Sequence, residues 1–138
     1  MADGNEVRVA QASRDRQEAM LEYYGIGLSV LMMLLGLRHW AIILGLIGGV
    51  GGSFEAMSAA WKVATMHMGV VDLVASVGLW TRAAWGRVMW VYAAISEIAL
   101  HTVFIGTFGG DPFIVALHGA ALIGFFALIV MSRRQPQE

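Results

Sequence analysis

Residues 61–80, WKVATMHMGVVDLVASVGLW, decide how this chain is built. A helix rises 1.5 Å per residue, so about 20 residues cross the roughly 30 Å hydrocarbon layer of a bilayer. Tryptophans close the stretch at both ends, where an indole sits at headgroup level. Between them the only titratable residues away from the edge are His67 and Asp72. The stretch reads as a membrane span, and the same pattern recurs on either side of it.

Downstream, a short turn at Thr81–Gly86 with Arg82 leads past Arg87 into a second apolar run, 88–108, which carries Glu97 and His101. Gly109-Gly110-Asp111-Pro112 is a turn by composition, with Pro112 placed to open a helix. Residues 113–131 form a further span whose one titratable group is His118, closed by Arg133 and Arg134. Upstream, residues 41–60 are apolar but hold Gly45, Gly48, Gly49, Gly51 and Gly52, and Glu55 interrupts them. Glycine costs a helix about 1 kcal/mol per residue relative to alanine. This stretch is therefore expected to be an interfacial or re-entrant excursion, with Phe54–Trp61 as an amphipathic helix lying in the interface. Arg38-His39-Trp40 reads as an interface anchor, and 19–37 as the first span. Residues 1–18 are polar and of mixed charge, without the pattern of a secretory signal. A helix entering the first span is expected to start near Ser13, which can cap it.

The expected architecture is all-α: an integral membrane four-helix bundle with spans at about 19–37, 61–80, 88–108 and 113–131. A polar tail, 1–18, precedes the bundle of 19–132, and a second tail, 133–138, follows it. Four crossings bring both termini to one side, together with Arg8, Arg14, Arg16, Arg82, Arg87, Arg133 and Arg134. Only Arg38 and Lys62 fall on the other side. The positive-inside rule then places both termini in the cytoplasm of a bacterial-type inner membrane. Five crossings, with 41–60 spanning, would put Arg133 and Arg134 outside, which the rule disfavours.

Composition agrees. Of 138 residues 58% are hydrophobic and 14% charged, more apolar surface than one soluble domain of this length can bury. Nine basic against ten acidic residues offer no electrostatic grip on nucleic acid. The absence of cysteine removes disulfides, thiolate metal sites and cysteine nucleophiles. No phosphate-binding glycine loop and no catalytic triad is present, so no catalytic residue is assigned.

Titratable groups inside a span are costly and mark function or packing. Counting from the inner turn at the helical rise puts His67 and His101 both about 25 Å up, with His118 level with His101 across the outer turn. Asp72 and Glu97 lie roughly 5–9 Å nearer the cytoplasm by the same count. Glu97 and His101, at i and i+4, share one helix face. Three readings follow. Imidazoles on facing helices can ligate haem or a transition metal, with His67, His101 and His118 as cofactor ligands and Glu97 as a further metal ligand. Asp72, Glu97 and His101 can instead form a proton or ion path. Or all five are interhelical hydrogen bonds that fix the packing. Met66-His67-Met68 suggests copper by composition, but neighbours at i±1 point away from His67 on a helix. Ala116, Ala120 and Gly124 repeat every four residues, a face for close helix approach within the bundle or across an oligomer seam.

The run from Phe54-Glu55 through Trp61, Val71-Asp72-Leu73-Val74-Ala75, Gly78-Leu79-Trp80, Trp85-Gly86 and Trp90 to Glu97 resembles small four-helix bacterial membrane proteins of the DoxX-like group. The resemblance implies an auxiliary or assembly role and carries over no functional residue. The leading expectation is therefore a non-catalytic auxiliary, assembly or stabilising subunit, partnered by the lipid bilayer and by other membrane subunits or further copies of itself. The alternative is a haem- or metal-binding redox protein, or a small proton- or ion-handling transporter, using His67, His101, His118, Asp72 and Glu97.

Overall fold

The computed structural model describes residues 2–133, so Met1, Arg134 and the rest of the expected C-terminal tail lie outside the described residues. The described chain is helical: α1 (Ala2–Ile43), α2 (Ala59–Trp80), α3 (Ala84–Thr102), the single turn α4 (Ile105–Phe108) and α5 (Pro112–Arg133). A three-residue 3-10 turn at Phe54–Ala56 sits between α1 and α2, and no β-strand occurs among the described residues. Helices α1, α2 and α5 are each long and apolar enough to cross a membrane. Helix α1 packs on α2, α2 on α3, α3 on α5, and α5 back on α1. The ends of α1 and α3 and the starts of α2 and α5 thus gather at one pole of the molecule. The turn between α2 and α3 marks the opposite pole.

Four boundaries differ from the sequence reading, each for a local reason. First, α1 begins at Ala2, not near Ser13, whose hydroxyl instead donates back to the Ala10 carbonyl within the helix. Second, α1 runs through Arg38-His39-Trp40 to Ile43, because no proline or glycine interrupts those residues. It stops at Gly45, whose φ of 72° is the left-handed conformation that ends helices, with Gly45 N–H donating to Ile42 O. His39 and Trp40 are therefore helix residues packed against α2: the Trp40 indole donates to Gly69 O at 3.2 Å. Third, Phe54–Trp61 is not one amphipathic helix. After the 3-10 turn the chain extends through Met57, and Ser58 caps α2 by accepting from Trp61 N–H. Residues 44–58 hold no helix beyond that turn, so a fifth crossing has no element there. Fourth, the expected run 88–108 starts earlier, at Ala84, and breaks after Thr102. Val103 and Phe104 both direct their N–H groups to Ala99 O, a widened last turn, before α4 resumes. Asp111 then caps α5, its carboxylate accepting from the N–H groups of Phe113 and Ile114 over Pro112.

Small residues let the helices close. Ser29 and Ser76, both buried, donate to each other's backbone carbonyl at 2.9 Å across α1 and α2. Interhelical bonds of this kind are worth about 0.6–2 kcal/mol each. At the opposite pole Gly78 and Gly86 bring the backbones of α2 and α3 together. Tyr24 donates to Ala121 O at 2.6 Å, lying over Gly124 of α5. In the α5 repeat, Gly124 thus meets α1 while Ala116 and Ala120 are exposed. The core runs through Leu28, Met32, Met68, Val71, Ala75, Leu79 and the fully buried Trp90, which stacks edge-on against Phe125. Outside it the helices carry an apolar surface: Val63, Val70, Val77, Val88, Ile95 and Ile123 are all exposed.

Candidate functional site

One face of each long helix delivers a polar group to the same place beneath the first pole. On α2, Met68, Asp72, Ala75, Ser76 and Leu79 are all buried, and Asp72 is 0% exposed. On α3, Trp90, Ala93, Ala94 and Glu97 form the inward face. On α1, Met32, Gly36 and His39 follow one another along the stripe that faces α2; a Cβ at Gly36 would press on Leu73, and Gly69 lies against His39.

The result is a tight cluster. His39 Nε2 stands 3.7 Å from Asp72 Oδ2 and 3.6 Å from Glu97 Oε1. One ligand atom from each of the three lies within 4.8 Å of the others, close enough for one metal ion to draw on all three. One turn on, His101 Nε2 is 3.7 Å from Glu97 Oε2. His118 is 1% exposed on α5, on the side of that helix turned toward the interior. A pocket of about 110 Å³ descends onto the cluster from the first pole. Arg38, Trp61 and Asp111 line its walls, and His39, Glu97 and His101 line its inner part. Trp61 tilts over His101 with ring centres 6.3 Å apart, and Phe108 meets Trp61 edge-on.

The hydrogen bonding is one-sided. His101 Nδ1 lies 3.2 Å from Gly109 O, and His118 Nδ1 3.0 Å from Ile114 O. A carbonyl only accepts, so each Nδ1 carries a proton, and in the neutral ring each Nε2 presents a lone pair. Neither oxygen of Asp72 has a hydrogen-bond partner, nor has His118 Nε2. The His39 contacts to both carboxylates exceed hydrogen-bond length. No Lys or Arg pairs with Asp72 or Glu97 among the described residues; Arg82 is paired with Glu22 at the other pole. Asp72 and Glu97 thus meet the His39 and His101 imidazoles at 3.6–3.7 Å, with no hydrogen bond to either Asp72 oxygen, and His39 Nδ1 and Trp90 Nε1 are buried without a partner as well. Buried polar atoms in folded proteins are nearly always satisfied, so this cage calls for a cation.

Of the residues picked from the sequence, Asp72, Glu97, His101 and His118 do converge. His67 does not. It lies on the exposed side of α2, its Nε2 3.0 Å from the Tyr92 hydroxyl, over an apolar groove between α2 and α3. Its depth is right but its rotation is wrong: Met68 and Asp72, four apart, point inward, and His67 precedes Met68 by one residue, or about 100°. The residue missed is His39, assigned to the interface because of its neighbours Arg38 and Trp40. Its spacing of three from Gly36 and seven from Met32 was the available signal. The cavity also bears on the cofactor. Pockets for drug-sized molecules run to roughly 300–1,000 Å³, and this one, at about 110 Å³, is of a size for an ion with its water.

Fold and site thus define a protein that is helical over its described residues, with three helices long and apolar enough to cross a membrane and a buried imidazole–carboxylate cluster. Residues 19–136 match the model of DUF6163, a family of unknown function, and the chain belongs to that family. No curated protein and no solved structure matches it.

Proposed function

We propose that this is a four-span inner-membrane protein that admits a cation, a proton or a metal ion, from the outer face into the His39–Asp72–Glu97 cluster. Spans α1, α2 and α5 are joined in the membrane by α3. Its polar Glu97 is turned inward while Val88 and Ile95 face out, as a lipid-facing helix requires. Both termini and the basic turn at Arg82 and Arg87 lie on the cytoplasmic side, which turns the pocket mouth at Arg38 and Asp111 outward. The observation that carries the reading is a pocket lined by His39, Glu97 and His101 beside Asp72, a buried carboxylate with neither oxygen hydrogen-bonded.

An auxiliary-subunit role is the second reading. It draws on the outer face of α5, where Phe113 and Ile123 are exposed beside Ala116 and Ala120, a surface fit for another transmembrane helix.

Trp61 reports on the first reading, since its ring lies over His101 on the pocket wall. In the purified protein, titration with a panel of cations (protons, sodium, potassium and divalent metals) is expected to change Trp61 emission for at least one of them. The change should vanish in Trp61→Phe and weaken in Glu97→Gln. Emission indifferent to every cation in the panel would remove the cation-site reading.

A further inference from the structure

We propose that His39, Asp72 and Glu97 bind a single divalent first-row transition-metal ion, with the fourth coordination position open to the pocket and His101 beside it. The inference rests on the cation-site reading above and names the cation.

The first argument is geometric. Donor atoms about 2.1 Å from a tetrahedral metal stand about 3.4 Å apart. Two of the three edges, 3.7 Å from His39 to Asp72 and 3.6 Å from His39 to Glu97, need to shorten by only a few tenths of an ångström, and the third, between the two carboxylates, lies within 4.8 Å. Three helices supply the three donors, so the site is held by the packing of α1, α2 and α3 and not by a flexible loop.

The second argument is electrostatic. Two carboxylates sharing one buried site carry two negative charges when ionised, with no Lys or Arg paired to them among the described residues. A divalent ion balances that charge and gives Asp72, otherwise fully buried with both oxygens unpartnered, the partner it lacks. This orphaned carboxylate is independent of the cluster's spacing and points to the same ligand.

The donor set selects the class of ion. One imidazole with two carboxylates suits manganese, iron, cobalt or zinc in the divalent state. Calcium prefers six to eight oxygens, magnesium an octahedron of oxygens, and with no cysteine in the chain there is no thiolate for softer ions. Three protein ligands and one open position is the pattern of a metal that meets an exchangeable water or a small ligand. His101 fits that position. Its Nδ1–H is held by Gly109 O, and its Nε2 lone pair faces the Glu97 side of the pocket, where it would accept a hydrogen from such a water.

The test uses the full chain, purified in detergent, stripped with a chelator and dialysed against Zn²⁺ alone, with bound metal measured by elemental analysis. The wild type is expected to retain a single ion per chain. Asp72→Asn and Glu97→Gln should weaken binding by at least about 100-fold, and His101→Ala, as an outer-shell change, by about 10–100-fold. His67→Ala, whose ring lies outside the cluster, should bind as the wild type does. Should a variant be poorly folded, Co²⁺ bound to the wild type supplies the second readout: visible ligand-field bands of a four- or five-coordinate nitrogen–oxygen site. Failure of the folded wild type to retain Zn²⁺ or to give those bands overturns the inference, as does equal binding by folded Asp72→Asn and Glu97→Gln. If Trp61 still responds to protons or monovalent ions in a protein that holds no zinc, the metal is wrong and the cation site stands. If it responds to nothing, both fall.

Discussion

Gly86→Val is expected to abolish the native pairing of α2 and α3. A Cβ at Gly86 would overlap the backbone of Gly78, and one at Gly78 would overlap Gly86 in turn. The obstruction is main chain on both sides, so no flexible side chain can yield, and even alanine is too large. Overpacking typically costs about 1–3 kcal/mol, and the value here should lie at or above the top of that range. The consequence reaches the site, because α2 carries Asp72 and α3 carries Glu97, and separating the helices at one pole moves those carboxylates apart. Size-exclusion profile and thermal midpoint in detergent measure it. The control is Gly119→Ala on α5, where an added Cβ meets nothing within 4 Å and helix propensity favours alanine by up to about 1 kcal/mol. If the two variants behave alike, the close α2–α3 crossing is not the protein's.

Asp72→Asn is expected to stabilise the metal-free protein while removing its response to metal. In the wild type without a cation, a carboxylate with no exposed surface lacks any hydrogen-bond partner beside Glu97. An isosteric amide cannot ionise, so it avoids the desolvation penalty that a buried carboxylate carries, about 1–3 kcal/mol. With zinc present at about 100 times its dissociation constant, the wild type should gain about 2.7 kcal/mol and the variant almost nothing, so the difference between them moves by about that much in the wild type's favour. Thermal unfolding with chelator and with zinc reads both halves. A variant less stable than wild type in chelator, and equally stabilised by zinc, would contradict the account. Natural proteins often keep a destabilising group where function requires it, and Asp72 is placed as such a group.

The apolar runs were legible because long uninterrupted apolar stretches bounded by turn residues read as helices: the stretch 61–80 corresponds to a helix at Ala59–Trp80, and 113–131 to one at Pro112–Arg133. What composition conceals is rotation and continuity. Depth counting put His67, His101 and His118 at one level with Asp72 and Glu97 below it, since depth depends on residue number alone. It could not exclude His67, because rotation about α2 is set by which residues pack on α1 and α3, and Ser29, Gly36 and Gly86 decide that. His39 was hidden by its neighbours. A cation and an indole look like an anchor, yet the helix continues to Ile43, so the imidazole turns inward while Arg38 stays exposed at the pocket. The glycines of 41–60 were read as unfavourable to a helix, which they are. That Gly45, Gly51 and Gly52 would adopt positive φ and fold the segment over the pocket beside Met57 depends on contacts the sequence does not display.

The most direct measurement is the zinc K-edge absorption spectrum of the zinc-loaded protein. The account predicts a nearest shell of nitrogen and oxygen only, at about 2.0–2.2 Å, with imidazole backscattering and with loss of the signal in Glu97→Gln. A shell containing sulfur near 2.3 Å, which Met57 and Met68 on the pocket wall could supply, or the spectrum of a hydrated ion without imidazole, would contradict it.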